Sequence, residues 1–142
     1  MTKKNTYISI FIVLGFITMI YFVYKHHNNS NAIKSTQVDR KYILGKRIFE
    51  KNCVSCHDKK MVEYATAPAL GGITKLREKK WLYNYTRNSN KMYEDGDIIA
   101  VKLRSENFGL MTSFPNLDDT KLEAVYYYIE MEYEKNKKLK KD

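Results

Sequence analysis

The sequence predicts a helical protein in which one domain follows an apolar N-terminal segment. Three observations support this fold class: an uncharged apolar run over residues 7–24, apolar residues at three- and four-residue steps further along, and a single Cys-x-x-Cys-His motif. Steps of three and four residues match the period of an α-helix, so the segments that show them are predicted helices. A length of 142 residues leaves room for one domain and an appendage.

The N-terminal run is long enough to cross a bilayer. Residues 7–24 carry no charge, and a helix of that length reaches about 27 Å, close to the roughly 30 Å of a hydrocarbon core. Lys3 and Lys4 precede the run and favour a cytoplasmic N-terminus at residues 1–6. The sequence therefore predicts a single-pass inner-membrane anchor at 7–24, with the domain on the periplasmic side. The alternative is a cleaved signal peptide, with residues 30–32 (Ser-Asn-Ala) as a cleavage site.

Polar residues separate this run from the domain. Residues 25–39 show no helical or strand period and are predicted to form a flexible linker. The domain is expected at residues 40–136, and a basic tail at 137–142 follows it.

Helices are predicted within the domain from their apolar periodicity. They cover residues 40–52, 74–88, a short segment at 98–103 and the stretch from Asp118 or Asp119 to Tyr133. The rest of 90–107 is predicted to be loop. Gly45 lies inside the first helix, where glycine costs about 1 kcal/mol relative to alanine. Its lack of a side chain predicts a close crossing by the last helix.

The two cysteines of the chain, Cys53 and Cys56, stand two residues apart and are followed at once by His57. This spacing attaches a c-type haem, because thiols on one turn of helix can bond the two vinyl groups of a porphyrin while the histidine binds the iron. A thioredoxin-like redox pair would need a strand-helix-strand context, which residues 40–75 do not show. A structural zinc site would need four ligands, and no second cysteine pair is present. The motif therefore predicts one covalent haem c.

The six methionines of the chain are the candidates for the sixth ligand of the iron. Position along the chain excludes all but Met92 and Met111, and Met111 is favoured because it lies in a loop directly before the last helix. The Pro68 carbonyl is the candidate acceptor for the second N–H of His57, although the residues alone favour a plain turn residue at Pro68. Trp81 is expected to direct its indole N–H at a haem propionate or to pack in the core.

With these residues considered together, the chain resembles the class I, mitochondrial-type cytochromes c, in their bacterial membrane-anchored monohaem form. The resemblance covers about residues 40–136. It is carried by Gly45, Phe49, Cys53, Cys56, His57, residues 68–71 (Pro-Ala-Leu-Gly), Met111, Phe114, Pro115, Val125, Tyr128 and Ile129.

This resemblance implies an all-α fold of about three main helices around one haem. It also implies His57 and Met111 as axial ligands, the Pro68 carbonyl on His57, and one-electron transfer in the periplasm. The chain departs from the family pattern in three places. Thr112 follows Met111 where proline is frequent, Ser89 follows Asn88 where related bacterial sequences often have proline, and 90–107 aligns with nothing.

The net charge of +9 predicts an acidic partner. Nucleic acid is not expected, because no nucleic-acid motif is present and the 12 tyrosines recur at helical spacing. An electron carrier is predicted, monomeric or associated with a complex, that docks on acidic surfaces of a quinol-oxidising complex or a terminal oxidase. The lysines expected to steer it are Lys46, Lys51, Lys59 and Lys60. An enzyme is not expected, because neither a nucleophile-base pair nor a carboxylate constellation is present.

Two alternatives to the mobile carrier remain open at this point. An open sixth site on the iron would make the chain a ligand-binding or sensing haem protein. A permanent place in a larger assembly would make it a fixed subunit of a respiratory complex.

Overall fold

The computed structural model describes residues 3–106 and 108–139. In this part of the chain all regular structure is helical, which confirms the all-α part of the prediction. The helices are α1 (Lys3–Asn52), α2 (Ile73–Leu76), α3 (Lys79–Glu94), α4 (Ile98–Ser105) and α5 (Asp119–Leu139).

The chain divides into two units, Met1–Asp39 and Arg40–Asp142. In the first unit, the large apolar side chains from Leu14 to Tyr24 are exposed. Within the described residues, no helix is both long enough and apolar enough to traverse a bilayer. Residues 7–13 of the predicted span lie outside the side chains that the structure describes, so the anchor stays a prediction. Residues 25–39, predicted as a flexible coil, are helical and belong to α1.

In the second unit, α1 and α5 cross closely at Gly45, as the sequence predicts. A Cβ atom added at Gly45 would run into the backbone of Ala124 and lie 2.8 Å from the Cβ of Tyr128. Beside this crossing the ring of Tyr128 lies 5.5 Å from that of Phe49, whose side chain is fully buried. The apolar stripe of α5 completes this core with Leu122, Val125 and Ile129. The missing side chain therefore allows the two helices to bury their apolar faces against each other.

The middle of the domain differs from the predicted boundaries. The single helix expected at 74–88 is two helices, because Arg77 and Glu78 adopt extended backbone conformations between α2 and α3. At Asn88 the backbone leaves the helical region, with φ −156° and ψ 75°, and α3 then continues to Glu94. The short helix predicted at 98–103 is present as α4, which starts after Asp97 because that carboxylate accepts the amides of Ile99 and Ala100.

Candidate functional site

The residues of the cysteine motif occupy one helical turn directly after α1. The amide of Cys53 donates to the carbonyl of buried Phe49 at 2.9 Å, and the amide of His57 donates to the carbonyl of Cys53 at 2.9 Å. Both cysteines are free thiols, Cys53 half-buried and Cys56 exposed. This turn therefore holds two thiols and one imidazole close together, fixed to the core through Phe49.

His57 is oriented by the backbone of Pro68. Its Nδ1 lies 2.9 Å from the Pro68 carbonyl oxygen, which can only accept, so Nδ1 carries the proton and Nε2 keeps its lone pair. Burial lowers the pKa of His57, and the hydrogen bond to Pro68 opposes part of that shift. The imidazole is therefore neutral at pH 7 and able to bind a metal through Nε2. Pro68 is the acceptor that the sequence proposes.

A tight loop brings Pro68 back to His57. Its first turn is closed by the Asp58 carboxylate, which accepts the amides of Lys60, Val62 and Glu63 at 3.1 Å each. Burial alone would raise the pKa of Asp58, but these amide hydrogen bonds and the charge of Lys60 together lower it. The amide of Ala67 then donates to the Cys56 carbonyl at 3.0 Å.

The end of this loop lies against α5. A Cβ added at Gly71 would overlap the ring of Tyr133 and lie 2.7 Å from the carbonyl oxygen of Met61. Met61 itself is fully buried and has a positive φ of 65°. We call Cys53, Cys56, His57 and Pro68 the His57 group.

Met111 lies in the segment between α4 and α5, half-buried and held to α3 rather than to the cysteine turn. Its carbonyl oxygen accepts the hydroxyl of Ser89 at 2.6 Å. Three residues later the amide of Phe114 donates to the carbonyl of Thr86 at 3.0 Å. We call Met111, Ser89, Thr86 and Phe114 the Met111 group. Met92, the alternative ligand, lies in α3 beyond its break, and ligation of iron by either methionine stays a prediction.

Comparison with known proteins identifies relatives of this arrangement. A model of the cytochrome c family matches residues 42–131, more than half of the chain. The chain belongs to the cytochrome c family. Its fold is similar to that of a cytochrome c from Rhodothermus marinus, with 25% identity and a TM-score of 0.60 over 68% of this chain and 80% of that one. An engineered cytochrome c from Rhodothermus marinus, Rma TDE, also has 25% identity, with a TM-score of 0.57 over the same shares.

No curated protein matches the chain. The family match and the solved structures confirm the resemblance to class I monohaem cytochromes c. The fold and the family of this chain are those of haem-based electron carriers.

The residues of this cytochrome fit the covalent haem c of its family. The motif offers two free thiols on one turn for the vinyl groups and a neutral imidazole whose Nε2 is free to bind iron. Burial raises the pKa of the Cys53 thiol to about 11, which keeps it protonated before attachment. Haem c is therefore the cofactor of this chain, attached through Cys53 and Cys56.

Trp81 has a protein partner in this cytochrome. Its indole N–H donates to both carboxylate oxygens of Asp97 at 3.1 Å, instead of reaching out to the propionate that the sequence suggests. Since Asp97 also caps α4, this contact joins α3 to the start of α4. The acidic turn at residues 95–97 signals a helix cap, but nothing in it identifies the indole as its partner.

Tyr126 was not singled out from the sequence, although it joins α5 to the Met111 group. Its hydroxyl lies 2.7 Å from Thr86 Oγ1 and donates to the Leu82 carbonyl at 3.3 Å. Burial raises the pKa of Tyr126, so the phenol stays neutral. In the sequence this tyrosine is one of three in a row, which conceals its role.

Proposed function

We propose that this cytochrome carries single electrons between membrane respiratory complexes, with His57 and Met111 as the axial ligands of its haem iron. The observation that supports this most is the hydrogen bond from His57 Nδ1 to Pro68, because it leaves Nε2 available to iron. Bound haem supplies an iron that changes oxidation state by one electron. The task of the chain is to keep the ligands of that iron in place while the charge changes.

Support for Met111 comes from how its backbone is held. The segment that carries it is hydrogen-bonded to α3 at two points, through Ser89 and through Thr86. A thioether from a fixed segment is a suitable ligand for an electron carrier, because a six-coordinate iron need not gain or lose a ligand when it is reduced.

The ligation is tested by the visible spectrum of the oxidised holoprotein, in which a weak far-red band reports sulfur bound to ferric iron. We expect the band in the parent protein and in Met92→Ala, and its loss in Met111→Ala. Loss of the band in Met92→Ala alone would assign the ligand to Met92. A parent protein without the band would contradict sulfur ligation. Carbon monoxide binding by the reduced parent at neutral pH would then support the ligand-binding alternative.

We further propose that residues 7–24 tether the domain to the inner membrane, with the haem domain on the periplasmic side. This is supported by the uncharged run and by the large apolar side chains of residues 14–24, which are all at least half exposed, from Leu14 at 51% to Phe22 at 71%. Such a surface is stable in lipid and costly in water. Tethering would raise the effective concentration near membrane partners without any added contact.

Membrane fractionation tests the tether. The full chain is expected in the alkali-washed membrane fraction, and a chain whose own segment is replaced by a cleavable secretion signal is expected in the soluble periplasm. The mass of the mature protein provides the control. A mature N-terminus beyond residue 24 would show that the segment is a cleaved signal peptide instead.

Exposed lysines near the cysteine turn are proposed to meet acidic surfaces on a quinol-oxidising complex or terminal oxidase. Lys51 and Lys59 are exposed and form no ion pair with any described residue. Lys75, on α2, instead binds the carboxylates of Glu130 and Glu134 at 2.7 and 2.9 Å. Unpaired charges remain available to a partner, whereas Lys75 already pairs with two carboxylates of the fold.

Reduction kinetics with the membrane fraction test the docking. The rate should fall as salt rises, because the Debye length shrinks to about 8 Å at physiological ionic strength. Lys59→Glu should slow the reaction, and Lys75→Glu, the matched control, should change the rate less. A rate that is independent of salt would remove the electrostatic part of the proposal.

A further inference from the structure

The break in α3 places a buried hydroxyl beside Met111. Asn88 has non-helical backbone angles, and its side chain accepts the amide of Lys91 at 3.0 Å, which caps the second part of the helix. The next residue, Ser89, is 0% exposed, and its hydroxyl donates to the carbonyl oxygen of Met111 at 2.6 Å. The buried Ser89 side chain thus donates its hydrogen bond to the backbone of Met111, the proposed ligand.

A second contact holds the same segment from the other side of the break. The carbonyl of Thr86 accepts the amide of Phe114 at 3.0 Å. A break in a helix releases carbonyls of the preceding turn from the i to i+4 ladder, and such groups need other donors. The turn around Asn88 therefore binds the loop at Met111 and again at Phe114.

We propose that Ser89 is a positioning residue for Met111, whose backbone it holds where the thioether can stay on the haem iron. Methionine has three rotatable side-chain bonds, so its sulfur is not located by its own rotamer. The position of the Met111 backbone limits where the sulfur can reach. The Ser89 hydroxyl donates a hydrogen bond to the carbonyl oxygen of that backbone. The inference rests on the proposed ligation by Met111 and adds the group that maintains it.

The consequence concerns how easily another ligand displaces Met111. Loss of the hydroxyl leaves the partly buried carbonyl of Met111 without its donor as long as the segment stays in place. Release of the segment relieves this penalty, so the open form becomes more populated. An added ligand that binds the open form then binds with higher apparent affinity, in proportion to that population.

The test is an imidazole titration of the ferric holoprotein, followed by loss of the far-red band. Ser89→Ala should lower the apparent Kd for imidazole about fivefold, the effect of removing one buried hydrogen bond. Ser89→Thr keeps the hydroxyl and should return the Kd toward the parent value. Ser89→Cys has a weaker donor of similar size and should lower the Kd as well, but by less than Ser89→Ala does. It replaces Ser89→Ala in the test if that variant gives too little holoprotein.

Thr86→Val is the matched control, because it keeps the backbone carbonyl of Thr86 that accepts the Phe114 amide. It also removes a buried hydroxyl from the same turn of α3, but that hydroxyl binds Leu82 and Tyr126 rather than the Met111 segment. Its imidazole Kd should stay within about twofold of the parent even if the protein melts at a lower temperature.

The possible outcomes separate this inference from the proposed ligation. A parent band that Met111→Ala does not remove contradicts the ligation itself. With that band assigned to Met111, an unchanged Kd in both Ser89→Ala and Ser89→Cys overturns the positioning role. Equal decreases in Ser89→Ala and Thr86→Val also overturn it, because they would indicate general loosening of α3.

Discussion

The His57 group and the Met111 group are built in different ways. His57 follows the cysteines directly, and its hydrogen-bond partner Pro68 lies 11 residues further along one tight loop. Met111 is held by Ser89, 22 residues earlier and on a separate helix. The first group is thus assembled by local chain geometry and the second by tertiary packing. Substitutions distant from the iron should therefore disturb the Met111 group more readily than the His57 group.

The largest effect is expected from removal of His57, the proposed axial ligand. His57→Ala deletes the imidazole that the Pro68 carbonyl orients, and the yield of holoprotein should fall at least about tenfold. Absorbance of haem per unit of protein measures it. His27→Ala, an exposed histidine of the first unit, should leave the yield unchanged. Full haem incorporation in His57→Ala would show that the thiols alone determine attachment.

A pair of glycine substitutions compares the loops of the two groups. Gly71→Ala forces a methyl group into the ring of Tyr133 and the carbonyl of Met61, which should lower the free energy of unfolding by about 1–3 kcal/mol. Beyond its chain neighbours, no atom of the described residues lies within 4 Å of a Cβ added at Gly109, two residues before Met111, so Gly109→Ala should change the free energy of unfolding by less than about 0.5 kcal/mol. Chemical denaturation of the two holoproteins measures both values. Equal effects of the two substitutions would mean that the loop at Gly71 shifts to fit the added methyl group without loss of stability.

The cap at the break in α3 is expected to have a smaller effect. Asn88→Ala removes the side-chain acceptor for the Lys91 amide and should cost about 1 kcal/mol in the free energy of unfolding. Asn88→Asp keeps an acceptor oxygen and serves as the control. Because Ser89 lies at the break, heating should also affect the two absorption signals of the alanine variant differently. The far-red band should weaken at a lower temperature than the band of the haem attached at the cysteines. A variant as stable as the parent would show that the break is maintained by tertiary contacts alone.

The smallest effect is a pH dependence of the loop that joins His57 to Pro68. The pKa of Asp58 is lowered on folding, so its contribution to stability is complete above its ordinary value of 3.8 and is lost as pH falls through the lower folded value. Asp58→Asn should therefore flatten the acid side of the profile of unfolding free energy against pH, by less than about 1 kcal/mol because the residue is only partly buried. Glu78→Gln, an exposed carboxyl outside the loop, is the comparison variant. Parallel acid profiles for the parent and Asp58→Asn would exclude this contribution.

Much of this cytochrome can be predicted from sequence because the signals are local. The motif at residues 53–57 needs only one helical turn, and the apolar stripe of α5 follows from helical period. Gly45 predicts a helix crossing because a glycine without a side chain lets another helix approach its backbone closely. The sequence ends the predicted helix at Asn88, where the backbone does leave the helical region, but it does not predict that α3 continues to Glu94, since asparagine followed by serine is compatible with both a helix and its end.

The sequence by itself therefore determined the covalent haem site, the helical class and the crossing of α1 with α5. Only the tertiary structure decided that Trp81 donates to Asp97 and that Ser89 donates to Met111. The physical reason is that a polar side chain has many acceptors of equal chemistry along the chain. Which one it meets depends on how separate helices are packed, and a sequence pattern records the period of each helix but not the partner of each hydroxyl or indole.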